Sequence, residues 1–467
     1  MPKLSYIFPL IFLASCHVGE DYIADNYMTN EEVQKNLNLS NNTKKINQNW
    51  YEIFNDKDLN TLLNFALNNN FTILQGIERL KQARYTLKIH NVDFFPMFGS
   101  SNSYNFNKAN SYPNSFDNSN NFKIGFDVAW EIDIWGKSDY TSERYLQLMK
   151  QAEYSLSNIQ TSITAEIITN YIQLRAAQKT LEITQKNLSL QQAILQMVKD
   201  KYSAGVADDL ALNQAFYVVE KTKANIPNLT KQIEVQKNAL AVLLGVVPKN
   251  LPINLDKPSK NITATAFKYT VKDLYNLPLD IIRTRPDVIF SEAKIREQNA
   301  VLNTAIAELY PSINLSAAFN YISFSGHKLF NSDSQVYSYS PVIGIPIWHW
   351  QQLSNNVELQ KHVKSEAILN YNETLLTALT ELKNSIFSVE QAYLSNHHKQ
   401  ASFAKMNTIM TLTHEKYKNG LVSFTDVASA EQDLLAAQSE LIESNASILI
   451  YLTAFYKATG GGYNLKD

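Results

Sequence analysis

The chain has 467 residues, a formal net charge of −2 and only 13 glycines. The near-balanced charge excludes the basic excess expected of a nucleic-acid binder. Scarce Gly with plentiful Asn, Gln, Leu and Ala suits long helices better than a loop-rich β protein. Beyond the N-terminus no apolar run approaches 18 residues, which argues against an ordinary transmembrane helix. The stretch "ILIYLTAFY" (448–456) is too short and follows a polar helical pattern.

Residues 1–15 read as a secretory signal, with Lys3 as a weak positive start followed by the apolar "LSYIFPLIFLA". It ends Leu13-Ala14-Ser15-Cys16, which resembles the bacterial lipobox, where cleavage precedes a Cys that receives diacylglycerol. Cys16 is the only cysteine, so no internal disulfide is available. His17, rather than Asp, follows it. By the resemblance to lipoproteins this favours export to the outer membrane. Residues 16–50 are expected to be a lipidated N-terminal extension.

The rest divides into two copies of one plan: residues 51–255, a linker at 256–272, and residues 273–467 with a C-terminal belt segment. "KYSAGVADDLAL" (201–212) and "KYKNGLVSFTDV" (416–427) begin 215 residues apart, as do Pro96 and Pro311. "EIDIWGK" (131–137) and "GIPIWHW" (344–350) align at an offset of 213. Each half predicts a helix, two strands, a very long helix, a tight turn and another long helix. Residues 73–94 and 288–309 are amphipathic. Residues 97–107 alternate weakly. In 121–135, Phe122, Ile124, Phe126, Val128, Trp130, Ile132 and Ile134 share one face, with Lys123, Asp127, Glu131 and Asp133 on the other. A period of two means a half-buried strand. Ile313, Leu315, Ala317, Phe319 and Tyr321 repeat it, then Tyr337, Tyr339, Ile343, Ile345 and Ile347. The polar segments 107–120 and 323–335 read as hairpin tips.

Residues 137–204 contain no Gly or Pro in 68 positions, and 347–419 none in 73. At 1.5 Å per residue the first alone predicts a helix about 100 Å long. Apolar Ile159, Ile163, Ile167, Tyr171 and Leu174 recur along it, as in coiled-coil packing. The alternative is two helices broken at the polar joint 186–192. Pro227 is expected to bend the helix that holds it.

Strands of about 10 residues with one apolar face match those of membrane β-barrels. An open sheet edge cannot sit in lipid. Four strands cannot close a barrel, so either the sheet is a soluble one or several chains pool their strands. Two chains give eight strands with little lumen; three give 12 and an open channel.

Five segments carry a family resemblance: "CHVGEDY" (16–22), "NWYEIFNDKDLNTLLNFALNNN" (49–70), "WEIDIWGK" (130–137), "LPLDIIRTRPDV" (277–288) and "YKATGGGY" (456–463). Together they resemble the outer membrane factors of tripartite efflux pumps, the TolC-like channels, in their lipoprotein branch. The departures are Glu20, where Pro is usual, and "PIWHWQQ" (346–352), where Gly before a basic residue is usual, so that Gln351 and Gln352 change the strand-to-helix bend. The resemblance implies an α/β membrane barrel. Four strands and long coiled-coil helices per chain build, in a homotrimer, a 12-stranded outer membrane β-barrel continuous with a periplasmic α-helical tunnel. It implies passive export of small molecules, drugs or metal ions, with a periplasmic adaptor and an inner-membrane RND-type transporter as partners.

Both Lys-Tyr…Gly phrases fall where one long helix ends and the next begins. Gly205 and Gly420 suit a left-handed helix cap. Asp208 or Asp209, and Ser423 or Thr425, are candidates to cap the following helix. By resemblance, these tips dock the adaptor through Tyr202, Gly205, Val206, Tyr417, Gly420 and Leu421. Asp426 sits just inside the second tip; three copies would form an acidic ring, a candidate periplasmic gate that attracts cations. Ala211 holds the matching place in the first copy, with Asp208 and Asp209 nearby. No nucleophile motif, phosphate loop or metal-ligand spacing is present, so neither enzyme activity nor a cofactor is expected beyond the lipid on Cys16. "HH" (397–398) reads as solvent-facing and "WHW" (348–350) as an interfacial aromatic cluster. The rival reading is a lipid-anchored periplasmic coiled-coil scaffold without a pore, whose strands would pack on its helices. A secreted helical binding protein or enzyme is disfavoured by the uninterrupted helices.

Overall fold

The structure, a computed structural model, describes residues 18–23, 29–37, 50–92, 95–111, 115–256, 274, 275, 277 and 280–461. Cys16 and nearly all of the 256–272 linker lie outside them. In chain order the elements are α1 (Asn30–Leu37), α2 (Lys57–Asn69), α3 (Phe71–His90), β1 (Met97–Ser111), β2 (Ser115–Ile132), α4 (Lys137–Ser203), α5 (Asp209–Leu244), α6 (Pro286–Ala307), β3 (Ser312–Ser323), β4 (Gln335–Gly344), α7 (Trp350–Lys418) and α8 (Phe424–Ala458). The order helix, two strands, very long helix, long helix thus recurs. Two compact units are present, each drawing on both halves of the sequence. One comprises residues 1–25, 79–152 and 290–371, and the other 26–78, 153–289 and 372–467.

The first unit holds the sheet, an antiparallel meander in the order β1-β2-β3-β4. β1 and β2 run longer than the side-chain pattern predicts. Pairing continues from Asn107↔Ser119 to Ser111↔Ser115, through residues expected to form a loop. Backbone pairing needs no apolar alternation, only partners for each N–H and C=O, so the polar hairpin extends almost to its end. The loop between β3 and β4 is instead compact. Two 3₁₀ turns, Gly326–Lys328 and Ser332–Ser334, bury Leu329, and the Ser334 hydroxyl donates to the Lys328 carbonyl at 2.8 Å.

The two strand-to-helix corners differ. After β2, Gly136 takes φ +81° and the Asp133 carboxylate accepts from the N–H groups of Lys137 and Ser138, each at 2.8 Å, capping α4. After β4 the corresponding residue is His349, which keeps a negative φ. A tight turn in which Ile347 N–H donates to Ile345 O at 2.9 Å replaces the glycine bend. Ile345 and Ile347 therefore lie beyond β4, and Gln351, in the first turn of α7, donates through its side chain to Asn355 at 2.9 Å.

α4 runs unbroken for 67 residues and α7 for 69, so the joint at 186–192 stays helical. Pro227 lies within α5, which continues past it. In the second unit the resembling motifs meet one another. Trp50 stacks on Tyr456 with ring centroids 4.9 Å apart. The buried Arg285 donates to Ala458 O at 2.9 Å and pairs with Asp287 and Glu381, each at 2.7 Å. Hydrogen bonds to both carboxylates keep this guanidinium charged despite its burial. Three segments distant in sequence, around Trp50, Arg285 and Ala458, thus meet in one region.

Candidate functional site: an apolar sheet face and a paired helical tip

Register decides what the sheet presents. Cross-strand partners share a face. Phe98↔Val128, Tyr104↔Phe122, Phe126↔Phe319, Trp130↔Leu315, Phe319↔Tyr337, Ala317↔Tyr339 and Ile313↔Ile343 join one side of all four strands. That side is predominantly apolar across all four strands, with Ser100 and Asn102 of β1, Ser323 and Gln335 among its polar members. The opposite side carries Ser101, Ser103, Lys123, Asp127, Glu131, Asn314, Ser316, Ser338 and Ser340. The apolar side is uncovered: Phe98 is 81% exposed, Phe126 67%, Tyr339 83% and Ile343 66%. A soluble sheet would hide such a face; single exposed apolar residues are ordinary, but a continuous apolar patch marks a surface that meets lipid or a partner. Trp348 and Trp350 are exposed just beyond β4.

In the second unit the two helical turns are built alike. Gly205 and Gly420 both have φ +72°. Gly205 N–H donates to Tyr202 O and Val206 N–H to Lys201 O, both at 2.9 Å; Gly420 N–H donates to Tyr417 O at 3.1 Å and Leu421 N–H to Lys416 O at 3.0 Å. This double closure needs a left-handed residue, which glycine supplies without a Cβ penalty. Asp208, not Asp209, caps α5, accepting from Ala211 N–H at 2.9 Å. Ser423, not Thr425, caps α8, in a box with Asp426. Asp426 accepts from the Ser423 hydroxyl at 2.7 Å and its N–H at 2.9 Å, bonds that lower its pKa. The carboxylate thus moves from the third helical position in one hairpin to the cap in the other. Both helix starts keep a negative charge, which the helix dipole favours.

One shared core holds the tips side by side: Ile194, Leu195 and Val198 of α4, Val218 and Val219 of α5, Tyr417 of α7, and Phe424 and Val427 of α8. The matching tyrosines part company here. Tyr202 is 41% exposed, and its hydroxyl bonds Asp209, which raises its pKa. Tyr417 is 8% exposed, packed near Phe424 with Lys201 Nζ 4.4 Å from its ring centre. It supports the turn from beneath. Val206 and Leu421 are exposed on top. Asp208, Asp209 and Asp426 are exposed as well. Nothing in the repeated phrase distinguishes the two tyrosines, because packing between hairpins assigns their roles.

Among the described residues, no helix is long and apolar enough to cross a membrane, and no three His, Cys, Asp or Glu side chains gather as a metal site. His397 and His398 are exposed neighbours on α7.

Comparison with known proteins gives the context. The profile of the family described as "Outer membrane efflux protein" matches residues 62–246 and again 277–461, segments that start 215 residues apart. The solvent efflux pump outer membrane protein SrpC of Pseudomonas putida is 26% identical over 421 residues, covering 89% of this chain and 88% of that protein. The cation efflux system protein CusC of Escherichia coli K12 is 23% identical over 452 residues, covering 96% and 97%. The crystal structure of the Campylobacter jejuni CmeC outer membrane channel superposes with a TM-score of 0.85 at 24% identity, over 97% of this chain and 96% of that one. With an uncovered apolar sheet face and a doubled helical plan matched over most of its length, the chain belongs to the outer membrane efflux protein family, as an efflux channel of the outer membrane.

Proposed function

We propose that this chain works as a homotrimer, pooling three four-stranded sheets into a 12-stranded barrel continuous with a helical tunnel across the periplasm. The observation that carries this is the continuous exposed apolar face on a sheet whose outer strands, β1 and β4, each pair on one side only. Lipid tolerates neither an open edge nor a polar outer face, and closure by identical copies removes the edges. The apolar positions of β2 run from Phe122 to Ile132, about 33 Å of strand. At a tilt near 40° that covers roughly the 25 Å apolar band of outer membrane barrels. The polar faces would then line the lumen.

The paired tips, with Tyr202, Gly205, Val206, Gly420 and Leu421 at their surface and Tyr417 beneath, are the docking site for a periplasmic adaptor. That adaptor couples the conduit to an inner-membrane RND-type transporter. Exposed Asp426, with Asp208 and Asp209, rings the periplasmic mouth and favours cations. Cys16 carries diacylglyceryl and acyl groups. The two profile matches and the twice-used element order support an internal duplication. The channel moves drugs or metal ions passively, without catalysis or a cofactor of its own, as relatives named for solvent and cation efflux suggest. A lipid-anchored scaffold without a pore would instead cover its strands, contrary to the exposures above.

Light scattering on the mature protein in mild detergent, corrected for bound detergent, tests this together with conductance in planar bilayers. A detergent-dependent trimer with stable open-channel currents is the expected result. A soluble monomer after removal of the lipid would overturn it.

A further inference from the structure

Residues 18–22, Val-Gly-Glu-Asp-Tyr, contact one stripe of α6. Glu292, Arg296, Asn299 and Asn303 follow one another at intervals of four, three and four, which aligns them on a single helix face. Asn299 and Asn303 are buried there. Asparagine is a poor helix former and costly to bury without partners, so two of them a turn apart need a reason. Glu20 provides it. Its N–H donates to Asn303 Oδ1 at 2.9 Å, and its carbonyl accepts from Asn303 Nδ2 at 3.1 Å and from Asn299 Nδ2 at 3.2 Å. The Asn303 amide therefore exchanges both bonds with the backbone of one residue, as a residue of a neighbouring strand would.

Further contacts set the direction of the segment. The Glu20 carboxylate pairs with Lys364 of α7 at 3.2 Å. Arg296 lies 4.8 Å from the centre of the Tyr22 ring, whose hydroxyl donates to Glu292 at 3.4 Å. Burial first, then Glu292, pushes the Tyr22 pKa up to about 12, so the phenol stays a donor. At the other end, Val18 N–H donates to Trp135 O at 3.4 Å, three residues past β2. A Cβ on Gly19 would collide with the Asn303 side chain and the Tyr140 hydroxyl. A proline at position 20 would have no N–H and would leave Asn303 Oδ1 without its donor.

We propose that Asn299 and Asn303, with Lys364, form a clasp that seats residues 18–22 and so sets where the lipid on Cys16 enters the bilayer, beside the end of β2. This rests on the lipidation of Cys16 put forward above. Only His17 separates Cys16 from Val18, so the two lie within about 7 Å at full extension. The acyl chains are thereby tied to the sheet's margin instead of to a free tether, and the asparagines act as positioning residues for the chain's own anchor.

Spin labels test the clasp in the full-length lipoprotein in liposomes. Ile23→Cys reports on the strap, since Ile23 is exposed and the Cys16 sulfur is blocked by its lipid. His17→Cys reports on the anchor, through its relative accessibility to oxygen and to a water-soluble nickel chelate. In the parent, both labels should be immobilised and the second should sit at one depth. Asn299→Ala/Asn303→Ala should raise the mobile fraction about tenfold, the effect of losing the hydrogen bonds to the Glu20 backbone. Gly19→Val should do the same by collision, and both should leave thermal unfolding of the trimer unchanged. A mobile Ile23 label in the parent, or no response to either variant, overturns the clasp. A responsive Ile23 label with an unchanged His17 depth overturns its role in placing the anchor. Mass spectrometry of the N-terminal peptide separates these from failure of the lipidation itself, in which case an unacylated Cys16 removes the anchor role while the Ile23 label still judges the clasp.

Discussion

Replacing Phe126 by Arg puts the membrane assignment of the sheet at direct risk. Phe126 lies midway along the apolar run of β2, flanked in register by Ser100 on β1 and Phe319 on β3, and is 67% exposed. If that face meets lipid, an Arg near the bilayer midplane costs about 2–4 kcal/mol per chain. Three copies in one barrel raise this to roughly 6–12 kcal/mol per trimer, enough to abolish assembly in a protein of ordinary stability. The neighbouring substitution Asp127→Arg is the control, because Asp127 points to the polar face beside Lys123 and Glu131. There the cost should stay within about 1 kcal/mol, since a water-filled lumen solvates the guanidinium. Folding yield into phospholipid vesicles, read as heat-modifiable trimer on gels, and urea titration of the folded fraction measure both. F126R should fold poorly and D127R almost normally. Equal behaviour, or better solubility and unchanged folding of F126R in the absence of detergent, would refute the assignment, because an exposed Phe on a soluble sheet is relieved by Arg.

Four other outcomes are expected. Gly125→Ala should lower trimer yield, with a cost of about 1–3 kcal/mol, because the new methyl group would collide with the Phe319 carbonyl and the Asn320 side chain across the β2–β3 pair; gel quantification of assembled trimer checks it. Gly420→Ala should weaken the second tip by about 1–2 kcal/mol without any clash, as the space around it is open and only the positive φ is penalised; hydrogen exchange at residues 416–426 should accelerate while the sheet is unaffected. Leu421→Asp and Val206→Asp should abolish drug export from cells while leaving bilayer conductance intact, and a matching loss of conductance would place these residues in the pore instead of the docking surface. Burial raises the pKa of Glu431 from 4.5 to about 7, against the lowering effect of a hydrogen bond with Gln191. The folded chain then keeps a proton that the unfolded chain releases, so stability falls as pH rises from about 4.5 to about 7. Glu431→Gln should therefore stabilise at pH 8 and change little at pH 4; an equal shift of the unfolding midpoint at both values would contradict the argument.

The strength of each sequence signal follows from its physics. Alternation at 122–132 was readable because a strand with one greasy and one wet side must repeat every two residues. The polar ends of β1 and β2 were not, because ladder bonds between backbones leave no trace in side-chain type. The long helices were legible as the absence of Gly and Pro over residues 137–204 and 347–419. Their caps were legible only to within a residue or two, since Asp208 and Asp209, or Ser423 and Thr425, differ by geometry alone. The corner after β4 looked like a lost glycine, yet a tight turn at Ile345–Ile347 makes the bend by another route.

What this sequence determined by itself was the inventory: four amphipathic strands, two helices too long for an ordinary globule, two glycine-closed turns 215 residues apart, and a single cysteine at position 16. These are local properties, written in the period and punctuation of neighbouring residues. Tertiary structure decided which pieces meet. It joined the apolar faces of four strands into one uncovered surface, buried Tyr417 while exposing Tyr202, and brought Arg285 to Ala458. It also gave two helical asparagines a peptide to hold at Glu20. Arg285 and Ala458 lie 173 residues apart, and Glu20 and Asn303 lie 283 apart, and only folding brings such distant groups within bonding reach.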